Sequence, residues 1–149
     1  MIAITFLATP EQVATHWPRI AHLIERCVAE AVQGEFTADD IYERALRGDA
    51  LPFYGSDGEE VTIAGVLEIV RYPRKTALSV MAMAGSRLRE SAADAFVEIK
   101  KFGRAMGADF IEASAPPAVA RLLRMTIGFE PKYQVMRINL EGEQHVLQP

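Results

Sequence analysis

The sequence predicts an α/β (α+β) fold in which one parallel crossover is joined to a run of antiparallel strands. Three observations carry this reading. Leu78, Val80, Met81 and Met83 form an apolar run of strand length that ends at Gly85, where a chain turns tightly with no Cβ in the way. Leu88, Ala92, Ala95, Phe96, Ile99, Phe102, Gly103 and Met106 then recur at spacings of three and four, which marks one buried helical face. After Gly107, residues 109–114 alternate with a period near two, so strand, helix and strand compose a βαβ unit.

The remaining elements follow from the same rules, taken from the N-terminus. Residues 2–7 read as a first strand, and Thr9, Pro10 and Gln12 supply a helix cap, a proline at the first helical position and the third-residue partner of a capping box. Pro18 is unsuited to a helix interior, so the expectation is a break near His16-Trp17 and a main helix from Pro18 to about Gly34. Its buried stripe is Ile20, Leu23, Ile24, Cys27, Val28 and Ala31. Thr37 and Asp40 begin another capped helix, with Ile41, Tyr42, Ala45 and Leu46 apolar and Gly48 at its end.

Residues 51–54 read as a short strand, residues 55–58 as a turn, and residues 61–70 as the strongest strand signal in the chain. Residues 71–75 turn the chain back into the strand that ends at Gly85. Beyond the βαβ unit, Pro116-Pro117 opens a helix with Ala118, Leu122 and Met125 facing inward, and Gly128-Phe129 closes it. A last strand is expected where Tyr133, Val135, Arg137 and Asn139 alternate with Gln134, Met136, Ile138 and Leu140, followed by a polar tail. The predicted order is β-α-α-β-β-β-α-β-α-β.

Composition narrows the class of function. A chain of 149 residues, half of them apolar, suits one domain spanning 1–149 with a single core. No apolar run approaches the roughly 20 residues of a membrane span, so a soluble, cytoplasmic protein without a membrane partner is expected. Cys27 is the single cysteine, which leaves no disulfide framework, and His16 and His22 lack partners at metal-ligand spacing, so no metal is implied. The net charge of -4 is unevenly spread: residues 71–104 carry +5 and the rest -9. The central segment is therefore suited to an anion or to solvent. Nucleic acid is not an expected partner, because the chain is acidic overall and its basic residues carry no stacking aromatics.

Taken together, the element order, the glycine turn at Gly85 before the long helix and Ile127-Gly128-Phe129-Glu130-Pro131 after the last one resemble the GNAT superfamily of acyl-CoA N-acyltransferases. The likeness spans nearly the whole chain. More narrowly, residues 14–18, 40–44, 71–75 and 121–129 look like the short GNAT-like proteins of tailed bacteriophages. The resemblance implies a mixed central sheet of six to seven strands with helices on both faces. It also implies acetyl-CoA as co-substrate and an amine as acceptor. The pantetheine arm would lie on a freed strand edge from Met81 through Met83 to Ala84. The pyrophosphate would lie on the turn of Gly85, Ser86, Arg87, Leu88 and Arg89, where unpaired amides converge at a helix start.

Two departures from the family pattern stand out. The phosphate loop has one glycine, and Arg124 occupies the position where the family commonly carries a tyrosine as general acid. Acyl transfer to an amine requires a base and assistance to the thiolate. Glu68 and Glu112, both on predicted strands, are the candidate bases, and Tyr133 or Tyr72 the candidate acids; Ser79 and Ser114 are further polar candidates. Two functions follow as expectations: a GNAT N-acetyltransferase acting on a primary amine, or an inactive GNAT-fold phage protein that works through a protein partner, with a place in virion assembly.

Overall fold

The computed structural model describes residues 2–31 and 34–141. Its elements are β1 (Ala3–Phe6), α1 (Pro10–Ala31), α2 (Ala38–Leu46), β2 (Leu51–Asp57), β3 (Glu60–Arg71), β4 (Thr76–Ala84), α3 (Leu88–Ala105), β5 (Phe110–Ala113) and α4 (Pro117–Leu122). A π turn, Leu123–Ile127, extends α4. The five strands form one sheet in chain order, antiparallel from β1 to β4 and parallel between β4 and β5. The architecture is thus an α/β fold with a mixed sheet.

Alternation along the strands splits the core into two layers. Ala64 and Val66 of β3 face Ile20, Leu23 and Ile24 of α1 and Ile41 of α2, while Ile63 and Leu67 face Phe96 and Ile99 of α3. Capping sets where the helices begin. Gln12 accepts from the Ala8 and Thr9 amides and Thr9 Oγ1 from the Gln12 amide, and Thr37 and Asp40 make the reciprocal pair that opens α2.

Several expectations give way to tertiary packing. Helix α1 is continuous through Pro18. The missing bond and ring clash cost about 3 kcal/mol in a helix interior, yet Pro18 sits on the exposed side while Val13 and Ile20 are fully buried on either side of it. Burial of the flanking turns holds the helix together. Strand β2 runs through Gly55 and Ser56 with a register shift there, so the turn is tighter than residues 55–58 and centres on Gly58, whose φ is +66°.

In the last helix the inward stripe is Val119, Leu123 and Ile127, whereas Ala118 and Met125 are exposed. This replaces the expected face of Ala118, Leu122 and Met125; the π turn widens the helix before Gly128 ends it at φ +99°. Among the described residues the sheet has five strands, not six to seven. The reason is the expected final strand: residues 130–140 carry no regular secondary structure and pair with no strand among the described residues. The tail from 142 onward lies outside the described residues. No helix among them is long and apolar enough to cross a membrane.

Candidate functional site

The site is built around the place where β4 outruns its parallel neighbour. Pairing with β5 runs from Ala77 opposite Phe110 to Val80 opposite Ala113 and stops there. Strand β4 continues to Ala84 on the β3 side alone. Its register against β3 slips by one between Val80 and Ala82, which leaves Met81 as a bulged residue. The bulge changes which residues face which layer. Val80 and Met83 pack towards α3, whereas Met81 packs into the α1–α2 layer and Ala82 and Ala84 pack beside Cys27.

That margin is partly occupied. The Met83 amide donates to Cys27 Sγ at 2.9 Å and the Cys27 thiol donates to the Met83 carbonyl at 3.2 Å. In an antiparallel ladder alternate residues turn their peptide groups outward, and Cys27 takes up this outward pair. The small side chains of Ala82 and Ala84 let α1 come close enough to do so. Burial pushes the Cys27 thiol pKa up, with the Met83 contact acting in the opposite direction. From the residue before Cys27, Arg26 Nη2 donates to the Gly85 carbonyl at 3.1 Å.

The turn into α3 is held from β3. A Cβ on Gly85 would lie 2.2 Å from the Thr62 carbonyl oxygen, so glycine is required here by the approach of a neighbouring strand. The same carbonyl accepts the Arg87 amide at 3.3 Å, and Thr62 Oγ1 accepts from Ser91 Oγ at 3.0 Å, both side chains being fully buried. Two atoms of Thr62 thus fix the first turn of α3. No side chain caps that turn, so the amides of Leu88, Arg89 and Glu90, which have no carbonyl four residues back within the helix, are available to an acceptor from outside. Ser86, Arg87 and Arg89 are exposed. Arg87 turns its guanidinium to Glu60 at 2.9 Å and Asp57 at 3.7 Å across the β2–β3 hairpin.

The two predicted carboxylates fall into one row. Glu68 pairs with Ser79, and Ser79 with Glu112. Side chains opposite one another in a sheet share a face, and here it is the face that α1 and α2 cover, two positions before the Met81 bulge. Helix α2, fixed by its capping box and by buried Ile41 and Ala45, brings Arg44 Nη2 to 2.7 Å from Glu68. Arg44 Nε is buried with no partner among the described residues. At the far end of the row the Tyr72 hydroxyl donates to Glu112 Oε1 at 2.5 Å, and the Tyr72 ring stacks on Phe110. The Glu112 carboxylate beside it holds the Tyr72 phenol above its usual pKa.

Tyr133 is placed differently. It lies on the unpaired segment and is 95% exposed, outside the row. Ser114 is exposed just past the end of β5, and Arg124 is exposed on the π turn. The structure adds Cys27, Arg26 and Arg44 to the site, none of which the residue pattern singled out. Cys27 was legible as part of a buried helical stripe, but which strand it meets depends on how α1 crosses the sheet.

The sequence matches no protein-family model and no curated protein, whereas the fold matches many solved structures. A probable acetyltransferase superposes with a TM-score of 0.69 at 16% identity, covering 94% of this chain and 96% of its own. The aminoglycoside N-acetyltransferase AAC(6')-Iy in complex with CoA gives 0.71 at 14% identity, covering 93% and 94%. A predicted acetyltransferase with acetyl-CoA from Clostridium acetobutylicum gives 0.69 at 11%, covering 97% and 100%. The sheet and its helices are therefore arranged as in GNAT acetyltransferases over almost the full length of the chain.

Proposed function

We propose that this chain is a GNAT-type N-acetyltransferase that moves an acetyl group from acetyl-CoA to a primary amine. The observation that carries the reading is the parting of β4 from β5 after Val80 and Ala113, beside a helix start that no side chain caps. A diphosphate suits those amides, because converging N-H groups and the positive helix end favour an anion. The pantetheine arm would run along residues 81–84 and take over from Cys27 the peptide groups of Met83, a modest exchange because a thiol is a weak donor and acceptor.

The thioester supplies the acyl carbon and a thiolate leaving group. On the protein side, a carboxylate of the Glu68–Ser79–Glu112 row takes a proton from the acceptor ammonium, and the freed amine attacks the carbonyl. As the tetrahedral adduct collapses, its C–S bond breaks and its nitrogen loses its second proton, which ends on the departing thiolate, so that an amide and free CoA result. Glu112 is the better placed base, since Arg44 engages Glu68, and Tyr72 orients Glu112 through its hydroxyl. Tyr133 would act only if its segment moved. Titration calorimetry with CoA and acetyl-CoA, followed by turnover against a panel of primary amines, tests this. Binding of both ligands is expected, with about a 10²–10⁴-fold loss of rate in Glu112→Gln if Glu112 is the base; absence of CoA binding at millimolar ligand removes the proposal.

A second reading has its own support. Cys27 covers the edge that pantetheine would need, Arg44 neutralises Glu68, and Arg124 stands where the family's general acid is common. These suit a GNAT-fold protein, of the kind tailed bacteriophages carry, that has left chemistry and works by binding another protein. Turnover that depends on Glu68 or Glu112 excludes it.

A further inference from the structure

The row before the notch holds two carboxylates in different company: Glu68 meets a cation and Glu112 a neutral hydroxyl. Both flank Ser79 from neighbouring strands, so their backbones stand about 9.6 Å apart, two inter-strand spacings. A bare pair at that separation would suit a diamine. The Arg44 guanidinium, 2.7 Å from Glu68, occupies one of the two. It is held from its own side: a capping box and buried Ile41 and Ala45 fix α2, Nη2 also donates to the Asp49 carbonyl at 3.5 Å, and Nε is buried. A second ammonium at Glu68 would meet a fixed cation.

The other end of the row is aromatic. Phe110 stands two residues before Glu112 and therefore on the same face, and the Tyr72 ring stacks on it with 6.4 Å between ring centres and 28° between planes. Tyr72 and Phe110 remain 46% and 42% exposed. The Tyr72 hydroxyl takes one oxygen of Glu112, and a carboxylate keeps acceptor sites beyond that one. Half-exposed rings beside a carboxylate suit a cation joined to a flat apolar body, since the ammonium meets the carboxylate and the body meets the rings. Glu112 lies one pair before Val80 and Ala113, where β4 and β5 part. An amine held there is next to the point at which the notch would deliver a thioester.

We propose that the acceptor is a primary monoamine carrying an aromatic ring, and that Arg44 determines this specificity by neutralising Glu68 against diamines and polyamines. The ammonium sits at the Glu112 carboxylate and the ring lies against Tyr72 and Phe110. As an acceptor class this rests on the transferase reading, whereas the amine site itself is open to test with or without CoA. Arg44 touches no reacting atom. It acts through Glu68, by setting how many positive charges the row accepts.

Titration calorimetry of the full-length chain with 2-phenylethylamine and with putrescine, each in the absence and presence of CoA, is the test. Wild type should bind 2-phenylethylamine the more tightly. Phe110→Ala should weaken that amine about 3- to 10-fold and leave putrescine unchanged. Arg44→Gln should raise the affinity for putrescine relative to 2-phenylethylamine about fivefold or more, the worth of one charge pair even at the dielectric of water. A merely structural role for Arg44 would lower both affinities together and leave their ratio alone. That unchanged ratio overturns the proposal, as does a wild type that prefers putrescine or binds neither amine. CoA binding with putrescine preferred removes the proposal and leaves the transferase reading standing; the expected amine pattern without CoA binding supports the amine site and removes the transferase reading.

Discussion

Two strand margins lie free around β5, and the same chain treats them in opposite ways. The margin of β4 beyond the notch is lined from within: Cys27 satisfies both peptide groups of Met83, and Arg26 reaches the Gly85 carbonyl. The outer margin of β5 is paired by nothing among the described residues, although residues 133–140 carry five exposed large apolar side chains. An edge facing the interior is protected by a helix that can approach because its neighbours are alanines. An edge facing outward has no such helix among the described residues. The first margin is therefore a place where a ligand must compete with the protein, whereas the second shows no such competitor among the described residues.

The largest effect that would break this contrast is expected at the turn following the inner margin. Gly85→Ala drives a Cβ to 2.2 Å from a backbone oxygen of β3, and neither strand can yield without losing the Thr62 contacts that hold α3. A loss of about 3 kcal/mol is expected in urea denaturation. A near-neutral result would mean that the α3 start is not fixed by Thr62.

Cys27→Ala sharpens the comparison on the margin itself. It leaves the Met83 amide and carbonyl without partners, which costs about 1–3 kcal/mol, and Cys27→Ser should recover part of that. Under the transferase proposal the alanine variant should also bind acetyl-CoA more tightly than wild type, since the competitor is gone. Weaker binding would instead make Cys27 part of the ligand site. Slow reaction of native Cys27 with a thiol reagent, accelerated by denaturant, checks the burial that raises its pKa.

The smallest effect lies in the row of polar residues. Tyr72 has its pKa raised above the ordinary tyrosine value because its hydroxyl donates a hydrogen bond to the Glu112 carboxylate, which favours the neutral phenol. A group whose folded pKa is raised contributes stability below its unfolded pKa and loses it as pH rises through the folded one. On the Tyr72 side, the contribution of the Tyr72–Glu112 bond is therefore present at neutral pH and is lost in alkali. Glu112→Gln should bring the phenol back towards its ordinary titration, read by ultraviolet absorbance, with little change in stability at neutral pH. No change in the titration would place Glu112 elsewhere in solution.

Much of the fold was legible because it rests on short-range rules. The caps at Thr9 and Thr37, the α3 stripe and the βαβ order all follow from residues within a few positions of one another. The failures are places where a distant contact decided. Pro18 stays helical because Val13 and Ile20 are buried on either side of it. The last helix rotates its inward face because Phe129 must meet Phe96, 5.5 Å away between ring centres. The predicted final strand has the right period, but a strand exists only when another lends it hydrogen bonds, and residues 130–140 have no such lender among the described residues.

For the site the division is similar. Glu68 and Glu112 could be named from the sequence as carboxylates on strands, and Gly85 as the turn before a helix. That the two acids share a row with Ser79 depends on register, and register passes through a one-residue bulge at Met81 that no local pattern announces. The sequence by itself determined the kinds of element, their order and which faces are apolar, since these are properties of periodicity and capping. Tertiary structure alone decided that Cys27 would meet Met83, that Arg44 would meet Glu68 and that Glu112 would meet Tyr72, because each depends on how packed layers set the distance between residues far apart in the chain.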